Sequence, residues 1–149
     1  MANLCLKYVY CCLVADPMTN PVLVVEDNDD IQVLFKLVLE SEGYEVRVVD
    51  NSEDALQYLK SHQPQLILMD IMMPGSNGIE LSHQIKQKSG FQSLPILLVS
   101  AVDRIKTQEL DYSRANDILY KPFDLDDLVD RVEELTGDRA SELPCQLQV

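Results

Sequence analysis

Five short apolar runs, each followed by a segment of helical period, constrain this chain more than any other feature. They read VLVV (22–25), YEVRVV (44–49), QLILMD (65–70), PILLVS (95–100) and DILY (117–120). Runs this short and this apolar suit strands covered on both faces. After the first, Ile31, Leu34, Phe35, Val38 and Leu39 form one helical stripe that closes near Gly43. Asn51 or Ser52 caps a second helix that buries Ala55, Leu56 and Leu59 and stops at Pro64. A third helix begins at about Gly78 with Ile79, Leu81 and Ile85 apolar, and a weaker fourth over 103–114 has only Ile105 and Leu110. The fifth buries Leu125, Leu128, Val129, Val132 and Leu135, with Gly137 as its C-cap. Fivefold alternation predicts an α/β fold in which helices cover both faces of a parallel sheet, because each right-handed crossover must return over that sheet.

Composition narrows the function. The chain has 12 Lys+Arg against 25 Asp+Glu, a net charge of −13 in 149 residues. Such a surface repels phosphate backbones and anionic lipid, so neither direct nucleic-acid binding nor membrane association is expected. Cys5, Cys11, Cys12 and Cys145 show no C-x-x-C spacing and read as reduced thiols rather than zinc ligands. The opening MANLCLKYVYCCLVAD has Lys7 as its one cation and no small-residue cleavage site. It is also short of the ~20 apolar residues that a membrane span needs, and a cytoplasmic location follows as the expectation. Residues 1–20 read as an N-terminal extension, either disordered or adding an edge strand from KYVYCCLV; 21–137 form the domain and 138–149 a C-terminal tail.

Polar groups stand at four of the strand ends. Glu26 and Asp27 follow the first, Asp70 ends the third, Ser100 the fourth, and Lys121 follows the fifth. Parallel strands bring all of these to one edge, where open α/β sheets keep their sites. Three carboxylates gathered there raise each other's pKa unless a cation intervenes, and Mg²⁺, a hard cation that takes oxygen ligands, answers that need. An Asp attacking phosphorus forms an acyl phosphate, while metal, lysine and hydroxyl neutralise the phosphoryl oxygens. Singly, each residue reads as a turn acid, a helix cap or an edge charge; Pro74, Gly75 and Gly78 alone mark a turn.

In order and spacing, VLVVEDN, LILMDIMMPGSNGIEL, PILLVSA and YKPF resemble the receiver domain of two-component response regulators, over about residues 21–137. The resemblance implies a doubly wound, flavodoxin-like fold with a five-stranded parallel sheet in strand order 2-1-3-4-5. It implies Asp70 as phosphoacceptor and an Mg²⁺ cofactor held by Asp27, Asp70, the Met72 backbone carbonyl and, through water, Glu26. It further implies Ser100 and Lys121 as phosphoryl-binding switch residues, and a cis bond between Lys121 and Pro122. The implied donor is a sensor histidine kinase or histidine phosphotransfer protein.

Two departures from the family pattern carry expectations. Ile118 stands where the family commonly has an aromatic switch residue, so readout on the face of helix 4, strand 5 and helix 5 depends on packing at Ile118. Met72 and Val102 stand where the family tunes dephosphorylation; both are apolar, cannot orient water by hydrogen bonds, and imply a long-lived phospho-Asp70. Output is expected by contact with a protein target, with phosphorylation-dependent homodimerisation open. The chain reads as no enzyme beyond self-directed phosphoryl transfer and autodephosphorylation. The alternative function is a phosphorylation-independent receiver-like adaptor. An Asp-dependent phosphatase needs an acid where Met72 stands, and EDNDD after the first strand would repel a flavin phosphate.

Overall fold

The computed structural model describes residues 20–102 and 104–137. Its main sheet holds five parallel strands, β1 (Val22–Val25), β2 (Val46–Val49), β3 (Leu66–Asp70), β4 (Ile96–Ser100) and β5 (Asp117–Tyr120), in the order β2-β1-β3-β4-β5. Every residue of β1, β3 and β4 is buried, which is why these strands read as unbroken apolar runs rather than alternating ones. The edge strands β2 and β5 leave residues partly exposed. Five helices cover the sheet: α1 (Asp29–Ser41), α2 (Ser52–Leu59), α3 (Gly78–Gln87), α4 (Thr107–Ser113) and α5 (Leu125–Thr136).

Strand alternation divides the core in two. Leu23, Val25, Ile67, Met69, Ile96 and Leu98 point to the side of α2 and α3, where they meet Ala55, Leu59, Leu81 and Ile85. Val22, Val24, Leu66, Leu68, Leu97 and Val99 point the other way, onto Phe35 and Leu39 of α1 and Leu128 and Val132 of α5. Neither face could stay in water, so the helices are required on both.

Local chemistry sets most boundaries. Asn28 caps α1, its side chain accepting from the amides of Asp30 and Ile31, and Asn51 caps α2 by accepting from Asp54. The structure differs from the sequence reading at several points. β2 starts at Val46 rather than Tyr44; the Tyr44 side chain is buried and its hydroxyl meets Thr136. α2 ends at Leu59, before the Pro64 stop is reached. α4 is shorter than 103–114, with Lys106 at its N-cap position, because Arg104 and Lys106 offer its first turn nothing to bury.

Two stripe residues also fall outside the core. Leu34 lies on the margin of the α1 stripe and is 38% exposed, beside Val33 and Leu37 on the solvent side. Leu125, at the first position of α5, is exposed, since Phe123 packs against the core in its place and stacks on Phe35. Residues 1–19 of the expected N-terminal extension, the C-terminal tail and all four cysteines lie outside the described residues. Among the described residues, no helix is long and apolar enough to cross a membrane.

Candidate functional site

The site is built on the carboxyl ends of β1, β3, β4 and β5. β1 runs into Glu26, whose amide still donates to Val49, so the chain leaves the sheet only at Asp27. Asp70 is the last residue of β3, in register with Val99, and is 7% exposed. Ser100 ends β4 opposite Tyr120, and the Lys121 amide donates to the Ser100 carbonyl at 2.7 Å, tying the two strand ends together. The Lys121–Pro122 peptide is cis.

The side chains converge as the parallel topology requires. Carboxylate oxygens of Glu26, Asp27 and Asp70 all lie within 4.8 Å of one another. Two full charges at that separation repel by about 3 kcal/mol at an effective dielectric of about 20. Lys121 Nζ offsets part of this at 3.3 Å from Asp70 Oδ2, while Asp70 Oδ1 accepts from the Met72 amide at 3.0 Å. Glu26 is buried; Oε1 accepts from the Asn28 amide and Oε2 has no hydrogen-bond partner. Burial above all, and then the Asp70 charge, pushes its carboxyl up to about 7, against the Asn28 hydrogen bond and Lys121. Asp27 is exposed. An all-oxygen set containing one buried, unpartnered carboxylate oxygen fits a hard divalent cation, and these three acids could hold one.

Ser100 is buried, and its hydroxyl accepts from the Val102 amide at 3.0 Å. It belongs to the site by strand register, not by a hydrogen bond to Asp70, and it does not cap α4. Met72 and Val102, two residues beyond Asp70 and Ser100, are 62% and 46% exposed. Ile118 is buried in the core cluster on the α2 and α3 side, whereas Tyr120, two residues on and thus on the same face of β5, is partly exposed.

Three supporting features escaped the sequence reading. After β3 the chain makes a small antiparallel hairpin, Met72–Met73 with Ser76–Asn77, across Pro74 and Gly75. Gly75 has φ +70°, as the third position of a type II turn demands. Gly78 then returns against the end of β3: its amide donates to the Ile71 carbonyl, and a Cβ on it would stand 2.4 Å from the Asp70 carbonyl oxygen. Gln32, reaching back from α1, donates through Nε2 to the Glu26 carbonyl at 2.5 Å. A glycine at the first residue of a helix hints at close approach; nothing in the sequence singles out Gln32.

The family model described as the response regulator receiver domain matches residues 22–133. The chain belongs to that family. As a receiver it is similar to the response regulator ArlR of Staphylococcus aureus, 34% identical over 116 residues that cover 76% of this chain and 51% of ArlR. It thus spans about half the length of the curated relatives it matches. Among solved structures, it resembles the response regulator TrrA of Thermotoga maritima in complex with Mg²⁺-BeF, with a TM-score of 0.70 and 33% identity over 78% of this receiver and 98% of that chain. It also resembles the receiver domain of the sensor histidine kinase PA1611 of Pseudomonas aeruginosa, which has a magnesium ion in its active-site cleft; the TM-score is 0.70, with 26% identity over 79% of this chain and 98% of that one. The strand order agrees with the doubly wound receiver fold that the sequence implied. The adaptor alternative is not favoured, since Glu26, Asp27, Asp70 and Lys121 are all in place.

Proposed function

We propose that this receiver takes a phosphoryl group onto Asp70 from a phosphohistidine of a sensor histidine kinase or histidine phosphotransfer protein, and signals by contact with a protein target. The observation that carries the reading is the convergence of Asp70, Lys121, Glu26 and Asp27 at one sheet edge. In the transfer, the donor P–N bond breaks as a P–O bond forms to an Asp70 carboxylate oxygen. The Met72 amide and Lys121 fix that carboxylate, so it meets phosphorus in one orientation. Mg²⁺, held by Asp27, Asp70, the Met72 carbonyl and Glu26 through water, would supply positive charge to the phosphoryl oxygens. Lys121 supplies a further positive charge, and Ser100 a hydroxyl once it leaves Val102.

Two surface features support a protein donor. Val33, Leu34 and Leu37 form an apolar strip on the solvent side of α1, the helix that starts beside Asp27. The net charge of −13 suits basic protein surfaces. Phosphorylation then needs only to favour one of two conformations of the β4, α4 and β5 region, with a homodimer as one outcome. Incubation with Mg²⁺ and acetyl phosphate, read by intact mass beside an Asp70→Ala control, tests the reading. A phosphoryl adduct on the wild type alone is expected. No adduct from acetyl phosphate or from any phosphohistidine donor, together with no heat on Mg²⁺ titration, would overturn it.

A further inference from the structure

We propose that Gln32 is a positioning residue for the cation site, its side-chain amide holding the peptide that aims Asp27 at Asp70. The inference rests on the cation reading above and concerns how this chain preorganises that site. Asp27 is the one exposed acid of the three, and among the described residues nothing hydrogen-bonds its carboxylate. What remains to place it is the backbone, which fixes the direction of its Cα–Cβ bond. The Glu26 carbonyl and the Asp27 amide belong to one planar peptide unit, so whatever fixes the carbonyl fixes the plane from which the Asp27 side chain departs.

The Glu26 carbonyl lies past the last paired residue of β1, Val25, so the sheet ladder gives it no donor. Asn28 does not serve it: its amide is bound to Glu26 Oε1, and its side-chain oxygen accepts from Asp30 and Ile31, which holds that side chain at the start of α1. Gln32 supplies the missing donor through Nε2. Three ties thus hold the turn: the Glu26 amide to Val49, the Asn28 amide to Glu26 Oε1, and Gln32 to the Glu26 carbonyl. The first joins backbone groups that almost any sequence would provide, and the second ends on a carboxylate of the site itself. Only the third depends on a side chain that contacts no reacting group.

Such a tie has work to do because the acids repel one another before a cation arrives, and a turn free to rotate would let Asp27 swing away from Asp70. Outer partners that orient ligands typically change metal affinity about 10- to 100-fold when removed. Gln32→Met keeps length and shape while deleting the donor.

The test compares full-length wild type and Gln32→Met in three measurements. These are Mg²⁺ affinity by titration calorimetry, the melting temperature in EDTA, and the amide ¹⁵N resonance of Asp27. The expected result is Mg²⁺ affinity weakened about 10-fold, an unchanged melting temperature, and a moved Asp27 resonance. Equal Mg²⁺ affinity in the two proteins would overturn the proposal. So would a loss of affinity accompanied by an equal loss of melting temperature, which marks a merely structural contact. A wild type that takes up no Mg²⁺ would instead overturn the cation reading itself, and so separates the two failures.

Discussion

Replacing Gly78 with alanine sets two physical effects against each other. As the first residue of α3, Gly78 should favour Ala by helix propensity, worth up to about 1 kcal/mol. The structure opposes this, because the new Cβ would lie 2.4 Å from the Asp70 carbonyl oxygen and 2.9 Å from Ile71 Cα. That is about 1 Å inside an ordinary contact of ~3.5 Å, and the atoms it meets are backbone that cannot rotate aside. Overpacking typically costs about 1–3 kcal/mol, and a clash against a fully buried strand belongs at the upper end. The net loss is about 2 kcal/mol, or roughly 8 °C in melting temperature for a domain of this size. Relief of the clash moves the Asp70 backbone, and a displacement of about 1 Å at a reacting group costs about 10²-fold in rate. Thermal melts and acetyl-phosphate labelling read both effects. Gly75→Ala is the control: it meets no atom within 4 Å, and its φ of +70° brings strain without touching Asp70, so it should melt lower yet still label. A Gly78→Ala protein that melts at or above wild type and labels at the wild-type rate would refute the reasoning.

Three further predictions concern charge, hydrolysis and readout. With Glu26 raised from 4.5 to about 7, the fold binds that proton more tightly than the unfolded chain does. Its contribution is therefore complete below the unfolded value and lost as pH rises through about 7. Glu26→Gln in EDTA should remove most of the fall in melting temperature between about pH 5 and pH 8; a variant as pH-sensitive as wild type would place the titration elsewhere. Met72 and Val102 give a hydrolytic water no hydrogen bond, so Met72→Asn with Val102→Glu should speed loss of the phosphoryl group, by up to about 10²-fold. An unchanged decay, followed by intact mass, removes that account. Ile118→Tyr puts a larger, polar-tipped side chain into a buried position, at a cost of about 1–2 kcal/mol. It should also alter affinity for a partner; unchanged melting, with unchanged affinity in both phosphorylation states, counts against a role for this position in readout.

The parts of this receiver that were legible in its sequence are those governed by repetition. β1, β3 and β4 are buried on both faces, so their apolar runs have no gaps, and their shared direction brings Asp70, Ser100 and Lys121 to one edge without any need to know side-chain positions. Margins were harder to read. Leu34 and Leu125 have the right spacing for a stripe, but spacing cannot say where the sheet beneath a helix ends, nor that Phe123 would fill the place of Leu125. The short α4 shows the same limit, since its apolar anchors are only partly buried and its first turn has none.

What stayed hidden is pairwise contact with backbone atoms. Gln32 donates to the Glu26 carbonyl, Gly78 donates to the Ile71 carbonyl and leaves room beside that of Asp70, and the Asn28 amide donates to the Glu26 carboxylate. None of these leaves a periodic trace, because each is decided by one distance rather than by a recurring face. The clustered acids stand out because a charge at the end of an apolar strand is costly and needs a reason. The groups that hold those acids in place are ordinary residues in ordinary elements. For a cluster of mutually repelling carboxylates, such supports matter as much as the acids: Gln32 ties the Glu26 carbonyl, and the missing side chain of Gly78 leaves the Asp70 backbone undisturbed.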